Sequence, residues 1–171
     1  MFQPGQLVVY GGEGVCKIVD VGVPALSGME TTRAYYTLYS EERHVTVYVP
    51  VDHPGTMRAV MTAEEADALI RRMPEIDLLP TAHAGSFLQR DAYDTALHSQ
   101  DRTDLVRILK TIYSRQHPSG ARARQPGRID EEYRKRAENI LYSEFSAALH
   151  IPRDQIPAYI ERTISSVELE Q

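Results

Sequence analysis

The sequence predicts an α+β chain in two parts, a small β-barrel followed by an all-α region. Three observations carry this reading. Short β-branched runs fill the residues up to Met61, a helix-start signal at Thr62 closes them off, and apolar stripes at helical spacing occupy the remainder. The expected parts are residues 1–61 as the barrel, 62–85 as a capping helix and linker, and 86–171 as the helical domain.

Five strands are predicted in the first part: Leu7 to Tyr10, Val15 to Val21, Ala34 to Tyr39, His44 to Val49, and Met57 to Met61. Gly11-Gly12-Glu13-Gly14 supplies a tight first turn and Ser40 to Arg43 a short hairpin connection, while Ser27-Gly28-Met29-Glu30 lies in a longer polar loop. Five short, strongly bent strands close most economically as an SH3-like or Tudor-like barrel. A barrel this small is filled by side chains, so Val9, Val15, Ile18, Tyr36, Leu38 and Val49 are the expected core.

Thr62-Ala63-Glu64-Glu65 has capping-box spacing, ahead of the apolar positions Ala66, Leu69, Ile70 and Met73. Pro74 and Pro80 bracket the next segment and the residues from Thr81 to Ser86 are mostly small, so the change of domain is expected between Met73 and Ser86. Leu105, Ile108, Leu109, Ile112 and Tyr113 recur on one helical face, and Tyr133, Ala137, Ile140, Leu141, Phe145 and Ala148 on another. Those stripes should pack together. The segment His117 to Arg128 holds two prolines and two glycines and reads as an exposed basic loop. Asp154 is placed to cap a last helix carrying Ile156, Tyr159, Ile160 and Ile164, with Pro157 in its first turn.

Composition narrows the function. The net charge of −5 is unevenly spread: Met1 to Leu79 carries six basic and eleven acidic residues, whereas Pro80 to Gln171 carries thirteen of each. From Arg107 to Arg136 there are nine Lys or Arg against three Asp or Glu, a local excess suited to phosphate. No apolar run is long enough to span a bilayer and the N-terminus lacks a signal-peptide pattern, so a cytoplasmic protein without a membrane partner is expected. A single cysteine, Cys16, excludes an internal disulfide, and the six scattered histidines lack metal-ligand spacing. Neither a metal nor another cofactor is expected. Nothing in the sequence speaks to oligomeric state.

Catalytic patterns are equally absent. Cys16 sits in a predicted strand with no histidine and aspartate arranged to activate it, so it reads as a small buried residue and the chain as no enzyme. The glycines at 11, 12 and 14 lack the Lys-Ser/Thr of a phosphate loop. Glu41-Glu42 and Glu64-Glu65 are accounted for by a solvated loop and a helix start.

The quoted residues resemble the CarD/CdnL family of bacterial RNA polymerase-binding transcription regulators, whose first domain is similar to the polymerase-interacting domain of transcription-repair coupling factors. That family opens Phe-x-x-Gly-Asp-x-Val-Val-Tyr-Pro-x-His-Gly-Val. Here Phe2, Gly5, Val8, Val9, Tyr10, Gly14 and Val15 fit, while Gln6, Gly11 and Glu13 depart. The family strand Thr-Val-x-Val-Pro-Val-Asp is present unbroken from Thr46 to Asp52. A weaker match continues through Gln100-Asp101, the Leu105 to Tyr113 helix and Ala137 to Glu144. No helicase motif follows before Gln171, so the stand-alone regulator is expected rather than a repair factor.

The resemblance implies a device of two halves: the barrel would add an edge strand to the RNA polymerase β subunit, and the helical domain would contact promoter DNA at the upstream edge of the bubble. Thr46, Val47, Tyr48, Val49 and Pro50 would form the docking strand. Tyr48 stands where relatives carry arginine or another long side chain, and it reads either as a partner contact or as an ordinary outward strand residue. The family's tryptophan wedge is missing from this tryptophan-free chain; its position falls on Ser86, or on Phe87 with a one-residue gap, in which case Phe87 to Arg90 reproduces Trp-x-x-Arg. Phe87 is then a minor-groove wedge or a core residue.

The implied DNA surface comprises Phe87, Arg90, Lys110 and Arg115, extended by Arg134, Lys135 and Arg136. Glu131 and Glu132 replace basic residues of the family, which shifts the expected surface toward Arg122, Arg124 and Arg128. Contacts of that kind grip phosphate and tolerate any sequence. The competing expectation is a protein interaction module that binds polymerase, or another partner, without productive DNA contact.

Overall fold

The computed structural model describes residues 1–28, 32–82, 84–99 and 101–171. Met29 and Glu30, used above for a polar loop, and Gln100, used for the family match, lie outside them. The chain divides into two units, Met1–Val60 and Met61–Gln171.

The first unit is an antiparallel sheet of β1 (Leu7–Tyr10), β2 (Val15–Gly22), β3 (Tyr35–Ser40), β4 (Val45–Pro50) and β5 (Met57–Ala59), in the order β4-β3-β2-β1-β5. Among the described residues no ladder joins β4 to β5, so the sheet is open where a closed barrel was expected. Strand β5 has only three residues, and its register Val8↔Ala59 to Tyr10↔Met57 ties it to β1 alone. A 3-10 turn, Gly11–Glu13, links β1 to β2 and ends on Gly14 at φ 73°, ψ −143°, a conformation that a side chain would oppose. Val19 is an extra residue between the pairs Ile18↔Leu38 and Asp20↔Thr37, a bulge that bends β2.

The sheet's core is Val8, Cys16, Ile18, Tyr36, Leu38, Val49 and Met57. Val15 is only half-buried, and Val9 is buried outside this cluster. Val9 is thus buried as expected, and the expectation for Val15 alone is one residue out of phase, because Leu7 to Tyr10 is a continuous apolar run whose period-two phase is set by its partner: Val8 lies opposite Cys16, and Val9 opposite Val15. Phe2 packs edge-on against Tyr36 at 5.9 Å and donates its main-chain N–H to that tyrosine's hydroxyl, which anchors the first residues on the core.

The second unit holds α1 (Ala63–Arg72), α2 (Ser86–His98), α3 (Arg102–Gln116), α4 (Arg128–Leu149) and α5 (Ile156–Glu170). Helix α1 starts as its sequence dictates: Glu65 N–H donates to the Thr62 hydroxyl and Thr62 N–H to the Glu65 carboxylate, at 3.1 and 2.8 Å. It buries Ala66, Leu69 and Ile70 and packs on α4 and α5, so residues 62–85 take part in the packing of the helical unit. The α4 stripe is buried at all six expected positions. On α3 the core face is instead Leu105, Val106, Ile108, Thr111 and Ile112, and Tyr113 is exposed and stacked on His117. Asp154 falls in a 3-10 turn, Arg153–Gln155, so α5 begins at Ile156 with Gln155 at its cap and Pro157 in its first turn.

Two buried carboxylates cross-link the helices. Glu144 on α4, fully buried, accepts from Arg102 Nε at 2.6 Å and from the Met61 main-chain N–H at 3.2 Å. Removing Arg102 leaves that carboxylate short of charge compensation. Arg102→Ala should therefore cost about 3 kcal/mol in urea unfolding, against about 1 kcal/mol for the Thr62→Ala cap variant; equal costs would show that Glu144 is not the stronger tie.

Candidate docking edge and basic helical surface

In the first unit, β4 is an edge strand hydrogen-bonded, among the described residues, to β3 alone. Its register runs from Ser40↔Val45 to Tyr35↔Pro50 and continues to Ala34 and Val51, where Val51 N–H donates to the Ala34 carbonyl at 3.0 Å. Antiparallel pairs alternate between bonded and non-bonded. Counting back from Val51, the main-chain groups of Val49, Val47 and Val45 turn toward β3, and those of Pro50, Tyr48 and Thr46 turn to the open edge. Proline has no N–H, so the open edge offers the donors of Thr46 and Tyr48 and the carbonyls of Thr46, Tyr48 and Pro50. Position 50 is one where proline costs β4 no bond to β3.

Side chains follow the same period. Val49 is buried and Val47 packs on the core, while Thr46 is exposed and Tyr48 and Pro50 are half-buried on the opposite face. Of the five sequence-predicted docking residues, the side chains of Val47 and Val49 thus belong to the core and only their backbone runs along the edge. Tyr48 lies opposite Thr37, with Tyr35 and Tyr39 at the diagonal positions, so an aromatic face adjoins the open edge. Sequence reasoning found the strand but not this face, although the alternation of tyrosines in Tyr35 to Tyr39 carries the signal.

In the helical unit, four predicted DNA residues come together. Phe87, Arg90, Arg115 and Arg128 line one cavity of about 690 Å³ with Ser86, Gln89 and the start of α4. Phe87 lies in the first turn of α2 and is 85 % exposed, which removes the core reading. Arg115 is already engaged: its Nε donates to Asp130 Oδ2 at 2.9 Å and its Nη1 to the carbonyls of Ala82 and Ala84, while Tyr93 donates to Asp130 Oδ1 at 2.8 Å. Burial, followed by this bond, pushes the Tyr93 hydroxyl well above its ordinary pKa. Arg90 lies 3.7 Å from Glu132.

Lys110 lies elsewhere. Its ammonium donates to the main-chain carbonyls of Met73, Pro74 and Ile76, closing the turn after α1, and burial lowers its pKa. Arg134 is clasped by Glu131 and Glu138, Lys135 faces Glu131 at 3.8 Å, and Arg136 lies over the Tyr133 ring. The Arg134 hydrogen bond holds the Glu131 carboxyl below its usual range. Arg122, Arg124 and Arg128 are exposed at the loop before α4, and Arg124 lines a second cavity beside Arg115 and Asp130. Sequence reasoning missed Asp130 and Asp94, which accept from Tyr93 and Tyr133.

Other candidate chemistry is quiet. Among the described residues no group of three His, Cys, Asp or Glu could hold a metal ion. No described helix is long and apolar enough to cross a membrane. Cys16 is buried, and burial with a contribution from Glu13 pushes its thiol from 9.0 to about 11.

The first unit is thus a five-stranded open sheet whose strand β4 lies at one edge. Residues 2–61 match the model of the CarD-like/TRCF RID domain family. That match supports a polymerase-binding role for this segment. No curated protein matches the chain.

The thiol of Cys16 gives a pH prediction. Its folded pKa lies above the unfolded one, so its contribution to stability is complete below pH 9 and is lost as pH rises toward about 11. Over that window the unfolding free energy should fall more steeply in the native sequence than in Cys16→Ala; parallel slopes would contradict a buried, protonated thiol.

Proposed function

We propose that this protein is a transcription regulator that docks on the RNA polymerase β subunit by lending β4 as an extra strand, and contacts promoter DNA through its helical unit so as to alter the lifetime of the open complex. The open edge of β4 within the matched domain is the observation that carries the docking half. Strand addition draws affinity from main-chain bonds and specificity from alternate side chains, here Thr46, Tyr48 and Pro50. A polymerase partner would place the protein in the cytoplasm, and no chemistry of its own is required of it.

The DNA half rests on an exposed aromatic at a helix start beside arginines. Phe87 is the right type of side chain to wedge against an opening base step, and Arg90 and Arg128 are positioned around the same cavity for backbone phosphates. Binding of this kind is salt-sensitive and sequence-tolerant. The Arg90–Glu132 pair and the employment of Lys110 and Arg115 within the fold favour a second reading, a polymerase-binding module without productive DNA contact.

Replacing Tyr48 by proline deletes one outward donor and spares the β3 ladder. Tyr48→Pro should weaken binding to polymerase β at least about tenfold, with little change in thermal midpoint; undiminished affinity in a calorimetric titration would sink the edge-strand model. Phe87→Ala should shorten promoter open-complex lifetime by about tenfold. Fluorescence anisotropy with forked promoter DNA decides between the readings, since no salt-dependent binding even in the polymerase complex would leave the module without DNA contact.

A further inference from the structure

Helices α3 and α5 both pack on α4, and the three line a groove of about 920 Å³ that shares no residue with the docking edge or with the Phe87 cavity. Each flanking helix turns one stripe into it. Val106, Leu109, Lys110 and Tyr113 recur at i, i+3, i+4 and i+7 on α3, and Glu161, Ile164, Ser165 and Glu168 at the same spacing on α5. Helix α4 contributes Glu138, Leu141 and Tyr142. The apolar surface here is incompletely covered: α5 buries only Ile156 and Thr163, so Ile160 and Ile164 stay half-buried, and on α3 Leu109 is half-buried and Tyr113 exposed. A helical row of this kind is ordinarily spent on packing. Burial, with Glu138 adding to it, pushes the Tyr142 hydroxyl up to about 12, and that hydroxyl makes no hydrogen bond among the described residues.

The charge of the groove decides what covers it. Lys110 and Arg134 line it but are spent, Lys110 on the main-chain carbonyls after α1 and Arg134 between Glu131 and Glu138. Glu161 and Glu168 are exposed, and among the described residues neither carboxylate is in an ion pair or a hydrogen bond. They stand two turns apart on α5, about 10 Å. An apolar trough is thus rimmed by two unneutralised negative charges. Such a rim repels nucleic acid and anionic membrane alike. A second copy presenting the same face about a two-fold axis would set this acidic rim against itself. The occupant that fits is an amphipathic helix of another protein, with an apolar row for the trough and lysine or arginine beside it.

We propose that the groove between α3, α4 and α5 is a second protein-docking site, and that it takes a basic amphipathic helix of a partner. The apolar row of that helix covers Leu109, Tyr113, Ile160 and Ile164, and its basic side chains meet Glu161 and Glu168. The site belongs to the helical unit alone. It depends neither on the β4 edge nor on DNA contact, and failure of either reading leaves it standing.

Two synthetic helical peptides test it with the full-length protein. Both carry leucine at i, i+3, i+4 and i+7, and their flanking positions are lysine in one and glutamate in the other. By fluorescence anisotropy the lysine peptide should bind at least about tenfold more tightly. In the ¹⁵N-labelled protein it should shift the amides of residues 109–116 and 160–168 and leave those of 45–50 in place. Glu161→Lys with Glu168→Lys, both at exposed positions, should keep the thermal midpoint and reverse the preference between the peptides. Tyr113→Ala, which removes an exposed ring from α3, should weaken the lysine peptide about threefold with no loss of stability. Equal affinity for the two peptides, or a preference that the double lysine variant keeps, overturns the charge-matched helix. No binding of the lysine peptide overturns the proposal outright, and uncharged Nile red entering the same groove then identifies a pocket for small apolar molecules. Self-association that protects the same amides makes a second copy the occupant and overturns the proposal as well.

Discussion

Among the described residues strand β4 is bonded on one side only, and the docking proposed for the first unit rests on that constraint. Its alternation places Val49 in the core and Val47 against it, which fixes the strand's register on β3. A slip of one residue would expose both valines, so the register is strongly specified. The same alternation leaves Thr46 and Tyr48 with outward donors, and Pro50 ends the donor row. The core thus determines which main-chain groups a partner strand can use. An edge this short, with a proline at its end, is limited in how far it can propagate pairing to other chains.

The helical unit is organised by buried carboxylates. Asp130 ties α2, α3 and α4 through Tyr93 and Arg115, while Glu144 ties Arg102 and the backbone ahead of α1 to α4. These ties consume cationic groups. A count of nine Lys or Arg between Arg107 and Arg136 overstates the surface available to a polyanion, because Arg115, Arg134 and Lys110 are spent on carboxylates and carbonyls within the fold. What remains is concentrated at the loop before α4 and around the starts of α2 and α4.

Much of this was legible in the sequence where a pattern was long and repetitive. The α4 stripe from Tyr133 to Ala148 and the Thr62 capping box are read directly from spacing, as is the strand His44 to Val49, found as Val45–Pro50. Where the pattern was short, it misled. Leu7 to Tyr10 has no phase of its own, so Val15 is expected in the core beside the buried Cys16 and is only half-buried. Tyr113 continues an apolar period but faces out, since Thr111 turns inward to accept from Leu79 N–H. At the start of α2 polarity is inverted, with Phe87 and Leu88 exposed and Gln89 buried. No hydropathy rule finds such a turn. That inversion is what sets the candidate site apart from the surrounding fold.

Hydrogen exchange at single amides of β4 tests the docking edge most directly, because the alternation assigns each amide a side. In the free protein the Thr46 and Tyr48 amides should exchange quickly and those of Val47 and Val49, bonded to β3, slowly. On addition of the polymerase β subunit, Thr46 and Tyr48 should become protected while Val47 and Val49 keep their slow exchange. Binding that leaves Thr46 and Tyr48 exchanging as before, or that protects β5 instead, would contradict the account.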